Sequence, residues 1–412
     1  MSAIKRKIID SIHYLLANFP VVAVLGVRQV GKSTLIQQVL PQADFFDLEK
    51  ESDYRRISDD AALLLQEVSQ PTIFDEAQLS PNLFKALRVF VDENRTVNGR
   101  FLLSGSSSPH LLKYMSETLA GRVAIVELDG LSWAEIIDSK SNDVVDALSD
   151  ESKLKKLKAK VTKKELQKLC LYGGYPEPVL RFFNQKEDKK LFRLWMENYT
   201  KTYVERDIRG LFPQLNLDAY KRFIQMLAFS SGEMINASTF ARSLDVSQPT
   251  IKKYLEIVEG TFLWRKISPY LTNVKKRTVK MPKGHLRDSG LISYFLRITD
   301  ENDLKSHPQF GRIWESFISE QLMKHFNNKI EGVKLYYYRT HNQAEIDLIL
   351  ETNEGIIPIE IKSGSVTRKK QIITLESFVK EHQCKFGIVI NNGDKIYKLS
   401  ESVYQLPAIF LI

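Results

Sequence analysis

The chain of 412 residues carries only two cysteines, Cys170 and Cys384. They lie far apart and lack any metal-type or redox-type pair spacing, which argues against a disulfide-stapled fold and fits reduced thiols. The seven histidines form no ligand cluster in sequence. No apolar run approaches the roughly 20 residues that a membrane helix needs. The N-terminal stretch MSAIKRKIIDSIHYLLANFP alternates charges with apolar residues at helical spacing and lacks a small-residue cleavage site. These absences predict a cytoplasmic protein with no membrane partner, beginning in a surface helix.

Hydrophobic residues make up 43% of the chain and charged residues 26%, the proportions of a globular protein. At about 100–200 residues per domain, the length implies two to four domains. The net charge of +9 permits a polyanionic partner without requiring one, because any lysine-rich surface can show it.

The strongest local signal is VVAVLGVRQVGKSTLIQQVL, residues 21–40. A β-type run, Val21 to Leu25, enters a turn opened by Gly26 and closed by Gly31, and a helical pattern through Leu35, Ile36, Val39 and Leu40 leaves it. The spacing G-x-x-x-x-G-K-S is that of a phosphate-binding loop. Glycines at its ends let the main-chain N–H groups of Gly26, Val27, Arg28, Gln29, Val30, Gly31, Lys32, Ser33 and Thr34 curl around phosphate oxygens at the positive end of a helix. Lys32 then reaches the β- and γ-phosphates of ATP, and Ser33 holds Mg²⁺.

A second strand, ADFFDLE, and a helix through Leu63, Leu64 and Leu65 follow. PTIFDEAQ then supplies a short β-rich run ending in Asp75 and Glu76. A magnesium-nucleotide site needs one carboxylate for the metal's water shell and one to orient the attacking water, roles given to Asp75 and Glu76 in that order. The strand RFLLSGSSS ends in small hydroxyls, of which Ser104 or Ser106 can bond the γ-phosphate or the lytic water, while Ser107 and Ser108 suit helix capping. Arg122 follows Gly121 at a helix–strand junction. An arginine there stabilises charge on a transferred phosphoryl group, in its own site or in a neighbour's.

The segments GVRQVGKST, TIFDEAQ, FLLSGSSS and LAGR together resemble the AAA+ class of P-loop ATPases. More narrowly, they are similar to bacterial and archaeal ATPases in which an AAA module precedes a C-terminal domain of unassigned function. The resemblance implies the roles just given to Lys32, Ser33, Asp75, Glu76, Ser104 and Arg122. LYGGYPEPVLRFF, TYVERDIRGL and KMPKGHLRDSGLISYFL, with Asp288 and Gly290 at a turn, resemble matching segments of the same family.

Residues 138–152 read as an exposed polar loop and ESKLKKLKAKVTKKELQKL as one lysine-dense amphipathic helix, a solvated face or a nucleic-acid contact. The helices of this region are expected to form a lid over the nucleotide. Residues 237–258 predict a helix-turn-helix. Phe240, Ala241 and Leu244 form one apolar face, Asp245-Val246-Ser247 the turn with Ser247 as an N-cap, and Ile251, Leu255 and Val258 the next face. Gln248, Thr250, Lys252 and Lys253 point outward, as DNA contact requires. Two β-type runs, TFLWRKISPY and RTVKMP, around a basic turn of Asn273, Lys275, Lys276 and Arg277 complete the layout of a winged helix, which serves DNA contact or protein contact.

QAEIDLILETNEGIIPIEIKSG predicts a hairpin turning near Asn353 to Gly355. Period two puts Asp347 on a face with Glu345, and Glu360 on a face with Lys362. Asp347 then lies across from Glu360 or from Lys362, according to which pair forms the turn. Clustered carboxylates suit Mg²⁺, and a lysine beside them suits phosphodiester hydrolysis. Glu315 sits among Ile313, Trp314, Phe317 and Ile318 on the preceding helix and is a further metal candidate. The pattern resembles the restriction-endonuclease-like PD-(D/E)XK core, its resolvase-type branch above all, in which the matching positions are Glu315, Asp347, Glu360 and Lys362.

The expectation is thus an α/β chain in four parts: a parallel-sheet AAA+ ATPase domain over 1–136, a linker and helical lid over 137–232, a winged helix-turn-helix over 233–300 and a nuclease-like domain over 301–412. It would bind ATP, Mg²⁺ and DNA and assemble as a homo-oligomer. ATP binding and hydrolysis would drive or gate the C-terminal half. The different-class reading is an ATP-dependent regulatory or scaffold switch whose nuclease-like domain is inert. Whether that domain cuts DNA stays open at the level of sequence.

Overall fold

A computed structural model describes residues 4–68, 71–106, 109–137, 144–183, 189–270, 282–329, 332–340 and 344–412. The chain divides into two compact units. One comprises residues 1–131 with 256–262 and 327–330; the other comprises 132–255, 263–326 and 331–412. Residues 132–255, 263–326 and 331–412, expected to form several parts, group in the second unit.

The first unit is built on five strands, β1 (Val21–Gly26), β2 (Asp44–Asp47), β3 (Thr72–Asp75), β4 (Phe101–Ser106) and β5 (Val123–Leu128). They pair in the order β2-β3-β4-β1-β5, all parallel. All six residues of β1 are buried, as a central strand covered on both faces requires. Its side chains alternate between two apolar layers. Val21, Ala23 and Leu25 join Ile57, Leu64, Leu87 and Met115, while Val22 and Val24 join Ile12, Leu15, Leu35 and Ile36. The N-terminal helix, Ile9–Asn18, buries Ile12, Leu15 and Leu16 in the second layer.

In the second unit, eight strands pair in the order β12-β13-β11-β10-β9-β8-β6-β7. These are β6 (Trp264–Pro269), β7 (Lys283–Leu286), β8 (Lys334–Arg339), β9 (Glu345–Thr352), β10 (Gly355–Ile361), β11 (Gly387–Asn391), β12 (Tyr397–Ser400) and β13 (Val403–Pro407). The helix Phe310–Lys329 is buried at nearly every position from Ile313 to Phe326, which makes it a core element rather than a surface one.

Three expectations change. Residues 144–152 are not an exposed loop, because Val144, Val145, Ala147 and Leu148 are buried within and after a short helix. The lysine-dense segment is not one helix. A helix Glu151–Leu154 ends, and Thr162 restarts the chain with a capping box to Glu165 that opens the helix Lys163–Tyr172. The helix-turn-helix forms as Ala237–Leu244 and Gln248–Gly260 around a left-handed Asp245, with Ser247 Oγ accepting from Thr250 N at 3.2 Å. Its following strands do not make a separate wing: β6 pairs antiparallel with β7 and parallel with β8, which carries both into the C-terminal sheet. Asn273, Lys275, Lys276 and Arg277 lie outside the described residues.

Candidate functional site

In a parallel sheet of this order the carboxyl ends of β1, β3 and β4 open on one edge, where ligands of such sheets bind. The loop after β1 occupies that edge. Gln29 and Gly31 take left-handed conformations, and Gly31 caps the helix Lys32–Val39. Gly26 meets a further constraint that the sequence does not reveal: a Cβ there would lie 2.5 Å from the Leu128 carbonyl oxygen on β5. Val30 is buried beneath the loop, Val27, Arg28 and Ser33 are half-buried, and Gln29 and Thr34 are exposed.

Lys32 is buried, and its ammonium donates to the carbonyls of Gly26 and Val27, each at 3.2 Å, and to Ser106 Oγ at 3.4 Å. The loop's lysine thus reaches the end of β4. Because β4 lies between β1 and β3, its hydroxyls also meet the acidic pair. Ser104 Oγ donates to Asp75 Oδ1 and accepts from Glu76 N at 3.4 Å. Ser106 N donates to Glu76 Oε2 at 3.3 Å. Ser104 therefore serves Asp75, and Ser106 connects Lys32 with Glu76.

Glu76 is left-handed, with φ 54° and ψ 44°. That conformation costs a residue with a Cβ roughly 1–2 kcal/mol and aims the carboxylate back over the strand end. Gln78 Nε2 donates to the same carboxylate. Gln78 stands two residues after the acidic pair, and its hold on Glu76 depends on the 3₁₀ turn Ala77–Leu79.

Arg122 is elsewhere. It precedes Val123, which pairs with Val21, whereas the loop leaves from Gly26. Five strand steps, about 17 Å, separate the two ends. The arginine faces the opposite edge of its own sheet, which removes the own-site alternative. Its guanidinium forks onto Asp92 and holds that carboxyl below the usual range. Ser107 and Ser108 lie outside the described residues.

The second constellation assembles around the hairpin. Thr352 pairs with Gly355 across a two-residue loop, and Ile359 pairs with Leu348. One step further sets Glu360, not Lys362, opposite Asp347. Asp347 Oδ2 accepts from Ile361 N at 2.7 Å, and Lys362 Nζ lies 3.8 Å from it and contacts Glu360 directly. Burial, followed by the neighbouring Asp347, pushes the carboxyls of Glu315 and Glu360 up to about 8.

Lys283, at the start of β7, joins this group although sequence reasoning gave it no role. Its side chain is 2% exposed, and its ammonium stands 2.6 Å from Glu315, 2.9 Å from Glu345 and 3.9 Å from Asp347. Burial works against its charge, but the three carboxyls together raise its pKa. Among the described residues no group of three acidic, histidine or cysteine side chains is arranged to hold a metal. The cluster does not fit the divalent metal that the nuclease resemblance implies, because an ammonium stands in the middle of its donors.

A parallel sheet with a glycine loop, a buried loop lysine and an acidic pair beyond the neighbouring strand defines a P-loop ATPase domain, and residues 18–137 match the family described as AAA domain. Residues 163–302 and 310–410 match two domains of unknown function, DUF8612 and DUF4143. An uncharacterized protein of Mycobacterium tuberculosis is 32% identical over 391 residues, which cover 94% of this chain and 80% of that protein. An uncharacterized protein of Mycobacterium bovis matches over the same extent. The chain belongs to the family of these mycobacterial proteins. A solved Walker-type ATPase of Pyrococcus abyssi is 14% identical with a TM-score of 0.45, over 71% of this chain and 96% of that one. Among the described residues no helix is long and apolar enough to cross a membrane.

Proposed function

We propose that this chain binds ATP with Mg²⁺, hydrolyses it, and uses the cycle to gate contact with DNA. What carries the reading is the convergence of Lys32, Ser106 and Glu76 at the open edge of the sheet. Main-chain amides of residues 26–34 hold the phosphates, and Lys32 exchanges its carbonyl partners for β- and γ-phosphate oxygens. Ser33 and Asp75 offer the hydroxyl and carboxylate that would hold a hard cation, and Mg²⁺ bound there would neutralise phosphate charge. Glu76 orients the attacking water, with Ser104 fixing Asp75 beside it and Ser106 tying Glu76 to the lysine. Arg122 serves a neighbouring copy of the chain, which makes the working form a homo-oligomer.

The helix-turn-helix is the DNA-facing element: Gln248, Lys252 and Lys253 are exposed on its second helix. Lys283 favours the reading in which the nuclease-like domain is moved by the ATPase and does not cut.

Steady-state ATP hydrolysis, measured with and without duplex DNA across a range of protein concentrations, tests the proposal. Turnover that rises with concentration and responds to DNA supports it. No turnover under any condition refutes the ATPase, and turnover indifferent to DNA refutes the gating.

A further inference from the structure

The geometry around Lys283 points to a resident cation that is part of the chain: we infer that the Lys283 ammonium fills the place among Glu315, Glu345 and Asp347 that a divalent metal would need, so that the C-terminal domain keeps its acidic cluster metal-free.

Three features carry this. The first is burial. Lys283 is as covered as a core residue, at 2% exposure, and charged lysines are buried this deeply only when paired. The second is convergence. Glu315 comes from a helix, Glu345 and Asp347 come from β9, and their carboxyls meet on one ammonium rather than on a vacant centre. The ammonium is within hydrogen-bond reach of Glu315 and Glu345 and within ion-pair distance of Asp347, and it has no coordination shell to complete, which suits acids approaching from two elements. The third is the support beneath it. Next to Lys283, a Cβ at Gly284 would lie 2.0 Å from the Trp264 ring and 2.4 Å from the Arg265 carbonyl, so β7 is pressed flat against β6. The lysine's backbone is therefore fixed, and its side chain is fixed in turn by the carboxyls.

On the far side, Lys362 covers Glu360 and approaches Asp347. Every acid singled out in sequence as a metal candidate in this domain faces an ammonium. The acids of this domain are then each held against a lysine, and the cluster is not arranged for metal-assisted hydrolysis. Breaking such a buried group by removing one partner leaves the other charge uncompensated. Removing Lys283 specifically leaves three carboxyls facing each other, the arrangement that recruits a divalent ion.

The test uses the full-length chain without nucleotide, titrated with Mn²⁺ and followed by calorimetry and melting temperature. Wild type and Asp347→Asn should give the same heats, because the cluster takes up no metal in either. Lys283→Met should gain a Mn²⁺-dependent rise in melting temperature of about 4 °C or more at saturating ion, and Lys283→Met combined with Asp347→Asn should lose it. A Mn²⁺ site in the wild type that disappears in Asp347→Asn overturns the inference, as does a folded Lys283→Met chain that gains no response to Mn²⁺. If Lys283→Met folds only with Mn²⁺ present, the inference is supported. If it does not fold at all, the comparison of wild type with Asp347→Asn decides. Every substitution in this test lies in the second unit, so the differences among variants are independent of whether ATP is hydrolysed.

Discussion

Arg122 grips Asp92 through two parallel hydrogen bonds, Nε to Oδ1 and Nη2 to Oδ2, each 2.8 Å long. The pair sits at the amino end of β5, on the opposite edge of the sheet from Lys32. On the proposed reading, an arginine so placed acts on a nucleotide held by another copy of the chain. Arg122→Ala should lower kcat about 10³-fold while leaving ATP affinity unchanged. Mixing it with Lys32→Ala should restore part of the turnover, because each variant supplies what its neighbour lacks. If the mixture shows no more activity than its parts, the intersubunit role fails.

Glu76 is held by Ser106 and Gln78 in a left-handed turn. Glu76→Gln should keep ATP bound and lower single-turnover hydrolysis by about 10²-fold or more. Gln78→Ala should reduce kcat with little change in KM, because the glutamate remains but is no longer aimed. Equal losses of binding in both variants would assign these residues to folding and not to chemistry.

The buried acids of the second unit make its stability depend on pH. An acid whose pKa is higher in the folded state keeps a proton that the unfolded chain has already released, so stability falls as pH rises through that interval. For Glu315 and Glu360 the interval runs from their ordinary 4.5 to about 8, because burial and Asp347 oppose their charge. Each group contributes a loss of at most about 1.4 kcal/mol per pH unit. Urea midpoints should therefore fall from pH ~5 to ~8 and then level off. Glu360→Gln should flatten the slope, and a rising midpoint over that range would contradict the assignment.

Lys252 and Lys253 lie exposed on the second helix of the helix-turn-helix. Replacing both by alanine should weaken duplex binding and lower the slope of log affinity against log salt by about one per lysine. An unchanged slope would mean that this helix faces protein.

The residues gathered at the candidate site were largely legible in sequence because they are local: Gly26, Gly31, Lys32 and Ser33 lie within eight residues, and Asp75 and Glu76 stand at the end of a strand. What remained hidden depends on strand order. β4 lies between β1 and β3, which decides that Ser104 serves Asp75 and Ser106 serves Lys32 and Glu76. Lys283 is 62 positions from Glu345, and it reaches the acids because β7 pairs with β6 and β6 with β8. In sequence it stands only as one of two lysines in KMPKGHLRDSGLISYFL. Residues 144–148 were misread because a few apolar positions among acids and serines do not reveal that tertiary packing covers them.

The central claim is that the loop at residues 26–34 grips a nucleoside triphosphate. Calorimetry of full-length chain with Mg²⁺ and ATP tests it most directly, with Lys32→Ala as the control. The account predicts heat saturating at one nucleotide per chain for wild type and none for the variant. Folded wild-type protein that gives no heat, or a variant that binds as well as wild type, would contradict it.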